Sequence, residues 1–335
     1  MKYLLLAAAT AASLILPVAA AEPAPAPSPG EIVAAAPAND WIAITASDLL
    51  VMELAPDAKG KPRRVVIQLM PAPFSQGWIG NIRKLAAAHW WDGTSINRVQ
   101  DNYVVQWGDA TEKKALPEGL ATVPESAYEM ALGEDVLAAL RAKMKADEDA
   151  LRAAFRQPGD GKIRAIKRAI PRDPYADETI TFQGWPIAVD RQTQTGWPVH
   201  CYAMVGVGRN LSPDTGSGAE LYAVIGHAPR HLDRNIALVG RVVSGIEHLS
   251  SLPRGTEALG FYNTEAERTP IASIRIASEL PTADQPRFEY LSTESDSFAP
   301  YADARANRRD PFFVRPAGGA DICNIPVPVR PVAAQ

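Results

Sequence analysis

Cysteine is nearly absent: Cys201 and Cys323 are the only two in 335 residues. That excludes a disulfide-dense scaffold. The five histidines (His89, His200, His227, His231, His248) show no metal-ligand spacing with them, which argues against a zinc site. No G-x-S-x-G elbow occurs, so an α/β-hydrolase reading fails. Gly206-Val207-Gly208 is a fragment of a dinucleotide loop without its third glycine or its helix. Net charge is small, -4, and Lys and Arg are scattered, so nothing favours nucleic acid or an anionic membrane as partner. The N-terminal apolar run, Leu4–Leu16, is short for a span of about 20 residues.

What is present begins with that run. Lys2 supplies a basic start, Leu4–Leu16 an apolar core, and Ala19-Ala20-Ala21 a small-residue cleavage site before Glu22. Residues 1–21 read as a bacterial secretory signal peptide, which predicts a periplasmic address. Residues 22–39, rich in Pro and Ala, read as an extended, poorly ordered tether. In an oxidising compartment an even pair of cysteines invites a Cys201–Cys323 disulfide, pinning the Pro-rich tail to a core strand. The competing reading is two unrelated thiols, with Cys201 merely buried.

Leu49–Leu54 and Arg64–Met70 are β-prone runs joined by an Asp57–Pro62 loop with turn chemistry. Over Gln76–Trp91, Trp78, Ile79, Ile82, Leu85 and Ala86 recur at helical spacing. An Asp92-Gly93 turn then opens Ser95–Val99 and Tyr103–Trp107, two short runs linked by Gln100-Asp101-Asn102, which reads as a hairpin. It brings a cation (Arg98), an aromatic (Tyr103) and an amide (Gln106) onto adjacent strands. The bland reading is an ordinary hairpin whose arginine makes a surface ion pair. Further on, Gly133–Gln157 has Val136, Leu137, Leu140, Met144, Leu151 and Phe155 near a 3.6 period, an amphipathic helix expected to pack on the barrel, the alternative being a partner-binding or substrate-guiding arm. Gly159–Arg172 reads as a basic, solvated linker. Cys201–Val205, Leu221–Ile225, Ile236–Val243 and Ile271–Ala277 complete eight strands, with a short helix over Gly245–Leu252.

The stretch Trp91–Asp109 resembles the cyclophilin family of peptidyl-prolyl cis/trans isomerases. That family has an aspartate-glycine turn, phenylalanine-histidine-arginine, then glycine-phenylalanine-methionine and glutamine-glycine-glycine-aspartate. Here the same order reads DGTSINR and NYVVQWGD. Arg98 falls on the family's catalytic arginine, Gln106 on its active-site glutamine, Tyr103 on its substrate-facing phenylalanine and Val104 on the methionine. Ile96-Asn97 and Trp107 depart from the pattern. Ala219-Glu220-Leu221-Tyr222 matches a serine-glutamine-phenylalanine-phenylalanine run, placing Tyr222 on the floor of the proline pocket. Gly206 falls near the family's loop asparagine. His231-Leu232-Asp233 matches a tryptophan-leucine-aspartate segment, and Ile236 stands where the family has histidine or tyrosine.

The resemblance covers roughly residues 48–280. It implies a mainly β fold: a closed eight-stranded antiparallel barrel capped by two helices, with an inserted amphipathic helix. The barrel domain then spans 40–280, interrupted by an insertion over about 110–197. The resemblance leaves both termini unexplained; 281–335 reads as an extension wrapping the body, anchored by Phe312-Phe313, with Cys323 a second anchor if it pairs with Cys201.

Rotating an Xaa-Pro peptide breaks no bond but crosses a barrier of about 20 kcal/mol. In the twisted amide the prolyl nitrogen regains a lone pair, which a fixed guanidinium can meet. The resemblance thus implies that Arg98 stabilises the twist, Gln106 orients it or binds the peptide, and Tyr103, Tyr222 and Leu232 grip proline. No cofactor or metal is needed. The implied partners are proline-containing segments of exported proteins, with no nucleic acid, no membrane insertion of the mature chain, and a monomer. The alternative is a peptide-binding module that has given up turnover. Gly206, Glu220, His231 and Ile236 favour that alternative, because a Glu220 carboxylate beside Arg98 can pair with the guanidinium and quench it.

Overall fold

The computed structural model describes residues 25–156 and 173–332. In chain order the strands begin with β1 (Trp41–Ala43), β2 (Leu49–Leu54), β3 (Arg63–Leu69), β4 (Ser95–Val99) and β5 (Val104–Gly108). Next come β6 (Met130–Ala131), β7 (Glu178–Phe182), β8 (Trp185–Asp190), β9 (Thr195–Pro198) and β10 (Met204–Val207). The last are β11 (Leu221–Val224), β12 (Leu238–Ser244), β13 (Thr269–Ile276), β14 (Phe288–Leu291) and β15 (Val329–Pro331). The described α-helices are α1 (Pro29–Ala35), α2 (Gln76–Ala87), α3 (Glu134–Phe155), α4 (Ile246–Ser250) and α5 (Phe298–Ala306). None is long and apolar enough to cross a membrane.

Eight strands close an antiparallel barrel in the order β10-β11-β5-β4-β13-β2-β3-β12. All eight strands expected from the sequence are in it. The β2–β3 turn works because Asp57 Oδ1 accepts from the Lys59 and Lys61 N–H groups, at 2.8 and 2.9 Å. Alternate residues then point inward, where Leu50, Met52, Val65, Ile67, Val105 and Trp107 fill the interior. Trp78, Ile82 and Leu85 of α2 are fully buried in the same core, so the apolar stripe plugs the barrel. The indoles after and within α2 reach the loop before β11: Trp78 Nε1 donates to Thr215 O at 3.1 Å and Trp91 Nε1 to Ala219 O at 2.8 Å.

The insertion departs from expectation. It carries a four-stranded sheet, β6-β9-β8-β7, where the sequence pattern suggests only a helix. Gln183 and Gly184, both at positive φ (47° and 81°), make the two-residue β7–β8 turn. Helix α3 packs on β7 of this sheet rather than on the barrel, burying Val136 and Leu140. Its second half leaves Met144 and Phe155 39 % and 56 % exposed. Arg241 of β12 joins the sheet to the barrel: Nε donates to Gln68 Oε1 at 2.9 Å, Nη1 to Gly184 O at 2.7 Å, and the guanidinium lies over Trp185. The linker expected at 159–172 lies outside the described residues, as does the segment 1–21.

The expected tether is also corrected. From Ser28 onward it is α1, started by a capping box in which Ser28 and Glu31 satisfy each other's N–H groups. The apolar residues Ile32 and Val33 then pack with Trp41, Leu291, Phe298 and Tyr301. A third sheet, β1-β14-β15, ties the two ends of the chain together. Cys201 and Cys323 form a disulfide across 122 residues. Phe312 and Phe313 do not anchor the extension: Phe312 is 83 % exposed, and the pair stack only on each other and on Arg308.

Candidate active site

Residues paired directly across a sheet point to the same face. Register places Arg98 opposite Gln106, Gln106 opposite Tyr222, and Tyr222 opposite Gly206. Four neighbouring strands therefore present one row on the outer face of the barrel. A bulge at Asn97 sets this register, because Ile96 pairs with Trp107 and Arg98 with Gln106, the next residue on β5. Trp107 consequently points inward, fully buried, in place of the family's glycine.

Beside the row lies an apolar cluster separate from the main core. Val104, Tyr222 and Val224 are buried, and Tyr103, Leu232 and Ile236 pack on them half-buried. Every apolar residue expected in the pocket is thus brought together. His231 stacks on Tyr103 with ring centroids 6.2 Å apart and forms the exposed rim. Gly206 is required by Tyr222, since a Cβ there would lie 2.3 Å from the ring's Cζ and hydroxyl.

Arg98 is fixed by three neutral acceptors. Nε donates to Leu259 O at 2.7 Å, Nη1 to Gln106 Oε1 at 3.2 Å, and Nη2 to Gln100 Oε1. Tyr103 and Phe261 flank its guanidinium at 5.7 and 5.5 Å. Burial lowers its pKa, against the opposing influence of Tyr103 and Tyr222. The expected pairing of Glu220 with Arg98 does not occur. Glu220 Oε1 instead accepts the Asp109 N–H at 2.7 Å.

Three features escaped the sequence reading. Gln100 was visible in principle, two residues along the strand from Arg98 and so on the same face. Leu259, 161 residues from Arg98 in sequence, and Phe261 beyond it leave no local signal. The third is a buried polar chain behind the pocket floor. Tyr222 Oη lies 2.9 Å from His200 Nε2, His200 Nδ1 2.9 Å from Asp233 Oδ1, and Arg230 Nε 2.7 Å from Asp233 Oδ2. Arg230 continues to Asp173 at 2.8 Å.

Comparison with known proteins accords with this geometry. The family model described as cyclophilin type peptidyl-prolyl cis-trans isomerase matches residues 64–278. No curated protein matches the chain. Among solved structures, a cyclophilin from Hirschia baltica aligns with TM-score 0.59 and 18% identity, covering 88% of this chain and 94% of its own. At that identity the likeness shows the fold. A cyclophilin type peptidyl-prolyl cis-trans isomerase from Cryptosporidium parvum, solved in the presence of the dipeptide Ala-Pro, aligns at TM-score 0.36 and 9% identity. That alignment covers 68% of this chain and 98% of the other.

Proposed function

This chain belongs to the cyclophilin-type peptidyl-prolyl cis-trans isomerases, and from that premise we propose that it accelerates Xaa-Pro rotation in exported proteins through Arg98. The observation that carries the proposal is the state of the guanidinium. Of its five N–H donors, three are held by neutral oxygens of Leu259, Gln106 and Gln100, which leaves two without a partner among the described residues, on a guanidinium 5.7 Å from the Tyr103 ring. A charge so fixed needs no reorganisation when the prolyl nitrogen pyramidalises, and its hydrogen bond forms only in the twisted state. The ring of proline fits against Tyr103, Tyr222 and Leu232, apolar faces that discriminate little between cis and trans. Gln106 acts as orienter of Arg98 more than as a peptide ligand, since its oxygen already accepts from Nη1.

Periplasmic clients are supported by the sequence of residues 1–21 and by the Cys201–Cys323 disulfide, a bond that persists in oxidising compartments. A second reading, a peptide-binding module without turnover, is favoured by one observation: the Leu259 carbonyl and the Phe261 ring already occupy part of Arg98's surroundings. NMR exchange on a short Xaa-Pro peptide, with Arg98→Ala as the control, separates the two. Acceleration lost in the variant supports the isomerase; binding without acceleration supports the module.

A further inference from the structure

Gln106 has two ends, and they face different partners. Its Oε1 accepts from Arg98 Nη1 at 3.2 Å. Its Nε2 is turned toward the start of the loop that leaves β10, where a Cβ on Gly208 would lie 3.3 Å from it. Glu220 stands two residues from Tyr222, the partner of Gln106, and so on the same face of the sheet beside that amide, with its Oε1 fixed by the Asp109 N–H at 2.7 Å. Two glycines make room for this side chain: a Cβ on Gly108 would sit 1.9 Å from Glu220 Oε1, against the carboxylate, and one on Gly208 2.9 Å from Glu220 Cβ, at its base. A carboxylate only accepts hydrogen bonds and a guanidinium only donates them. An amide between the two has one good orientation, nitrogen to the acid and oxygen to the cation.

We propose that Glu220 is a positioning residue for prolyl rotation: its ionised carboxylate sets the Gln106 amide so that the amide oxygen holds Arg98. The inference rests on the reading of Arg98 given above and adds to it a control by pH. Burial, with the negative charges of Asp109 and Glu112 beside it, outweighs the bond from the Asp109 N–H and the influence of Gln106 and pushes the Glu220 pKa up to about 7. The charges of the adjoining loop are engaged elsewhere. Arg209 donates to the carbonyls of Asn235 and Asn210, and Asp214 accepts from the Asn210 and Gly216 N–H groups.

A proton on Glu220 gives it an O–H that donates. With Oε1 still accepting from Asp109, that O–H faces Gln106 and takes the amide oxygen. The amide turns, its NH2 opposes Arg98 Nη1, and the guanidinium loses one of its three anchors. The same site thus holds its arginine firmly above neutrality and loosely below.

The test uses the full chain, with catalysed exchange of an Xaa-Pro peptide and the Gln106 side-chain amide resonances both followed by NMR between about pH 5.5 and about pH 8.5. Wild-type exchange rises roughly tenfold across the range, the worth of one hydrogen bond misplaced in the transition state. Gln106 resonances move with a midpoint near neutrality. In Glu220→Gln both become independent of pH. Gln106 resonances that fail to titrate in the wild type, or that titrate equally in Glu220→Gln, overturn the proposal. The resonances need no turnover. If they titrate as stated while the wild type accelerates nothing, the reading of the activity fails and the positioning stands.

Discussion

The Tyr222 hydroxyl lies 2.9 Å from His200 Nε2, so the floor of the proline pocket hangs from a buried polar chain. Burial drives the Tyr222 pKa well up, and the hydroxyl keeps its proton and donates. An ionised Asp233 only accepts, so His200 donates to it from Nδ1 and meets the Tyr222 hydroxyl with Nε2. Cys201 follows His200 directly, and its disulfide to Cys323 closes the chain behind this network.

Asp233 is the anchor of that chain. Burial raises its pKa, but His200 and Arg230 outweigh burial and hold it below the ordinary carboxylate value. The folded pKa is thus below the unfolded one. The stabilisation is present above the unfolded pKa of about 4 and is lost as pH falls through the folded value. Asp233→Ala should cost roughly 3 kcal/mol in urea unfolding near neutral pH, because it leaves His200 and Arg230 buried with a partner removed. The gap between variant and wild type should narrow in acid. A gap that stays constant would mean that packing, not charge, is what the carboxylate supplies.

Gly206→Ala places a Cβ 2.3 Å from the Tyr222 ring, a contact that only displacement of the ring relieves. Overpacking of this kind costs about 1–3 kcal/mol. The variant should remain folded, lose most of its exchange activity, and show shifted Tyr222 ring resonances. Unchanged ring resonances and full activity would remove Tyr222 from the pocket floor.

Glu220 carries a stability signature of opposite sign to Asp233. Its folded pKa of about 7 lies above the ordinary value of 4.5. The folded chain retains a proton that the unfolded chain releases, so Glu220 costs stability progressively as pH rises between those values. Glu220→Gln should raise the thermal midpoint more at pH values above 7 than in mild acid. Equal effects at both ends would show that the carboxylate is better solvated than its surroundings indicate.

The disulfide joins residues 122 apart in sequence and fastens the C-terminal extension next to His200. Closing a loop of that length restricts the unfolded chain, an effect worth about 5 kcal/mol in the chain-entropy account. Reductant should lower the urea midpoint of the wild type and leave a Cys201→Ser, Cys323→Ser double variant unmoved. A wild type indifferent to reductant would mean that the extension is held by its sheet and by α5 alone.

The barrel and most of the pocket were legible because their signals are local or shared with a family. The β-prone runs Leu49–Leu54 and Arg64–Met70, with turn chemistry between them, mark a hairpin by themselves, and the spacing of Arg98, Tyr103 and Gln106 follows from strand geometry once its own hairpin is granted. Partners that arrive from distant loops were not legible: Phe261 and Leu259 reach Arg98 only through tertiary packing. The insertion's sheet was missed although Gln183-Gly184 is a two-residue turn between β-prone runs. The Pro- and Ala-rich lead concealed α1, whose Ser28 and Glu31 form a capping box that composition alone does not reveal. Phe312-Phe313 looked like an anchor from hydrophobicity, yet the pair lies against Arg308 at the surface.

The most direct test of the account is the rate of catalysed cis/trans exchange of a short Xaa-Pro peptide by the wild type and by Arg98→Ala, near pH 8. The account predicts clear acceleration by the wild type and a loss of roughly 100-fold or more in the variant, the scale of removing one preorganised donor. Equal acceleration by both proteins would contradict it and place the donor elsewhere.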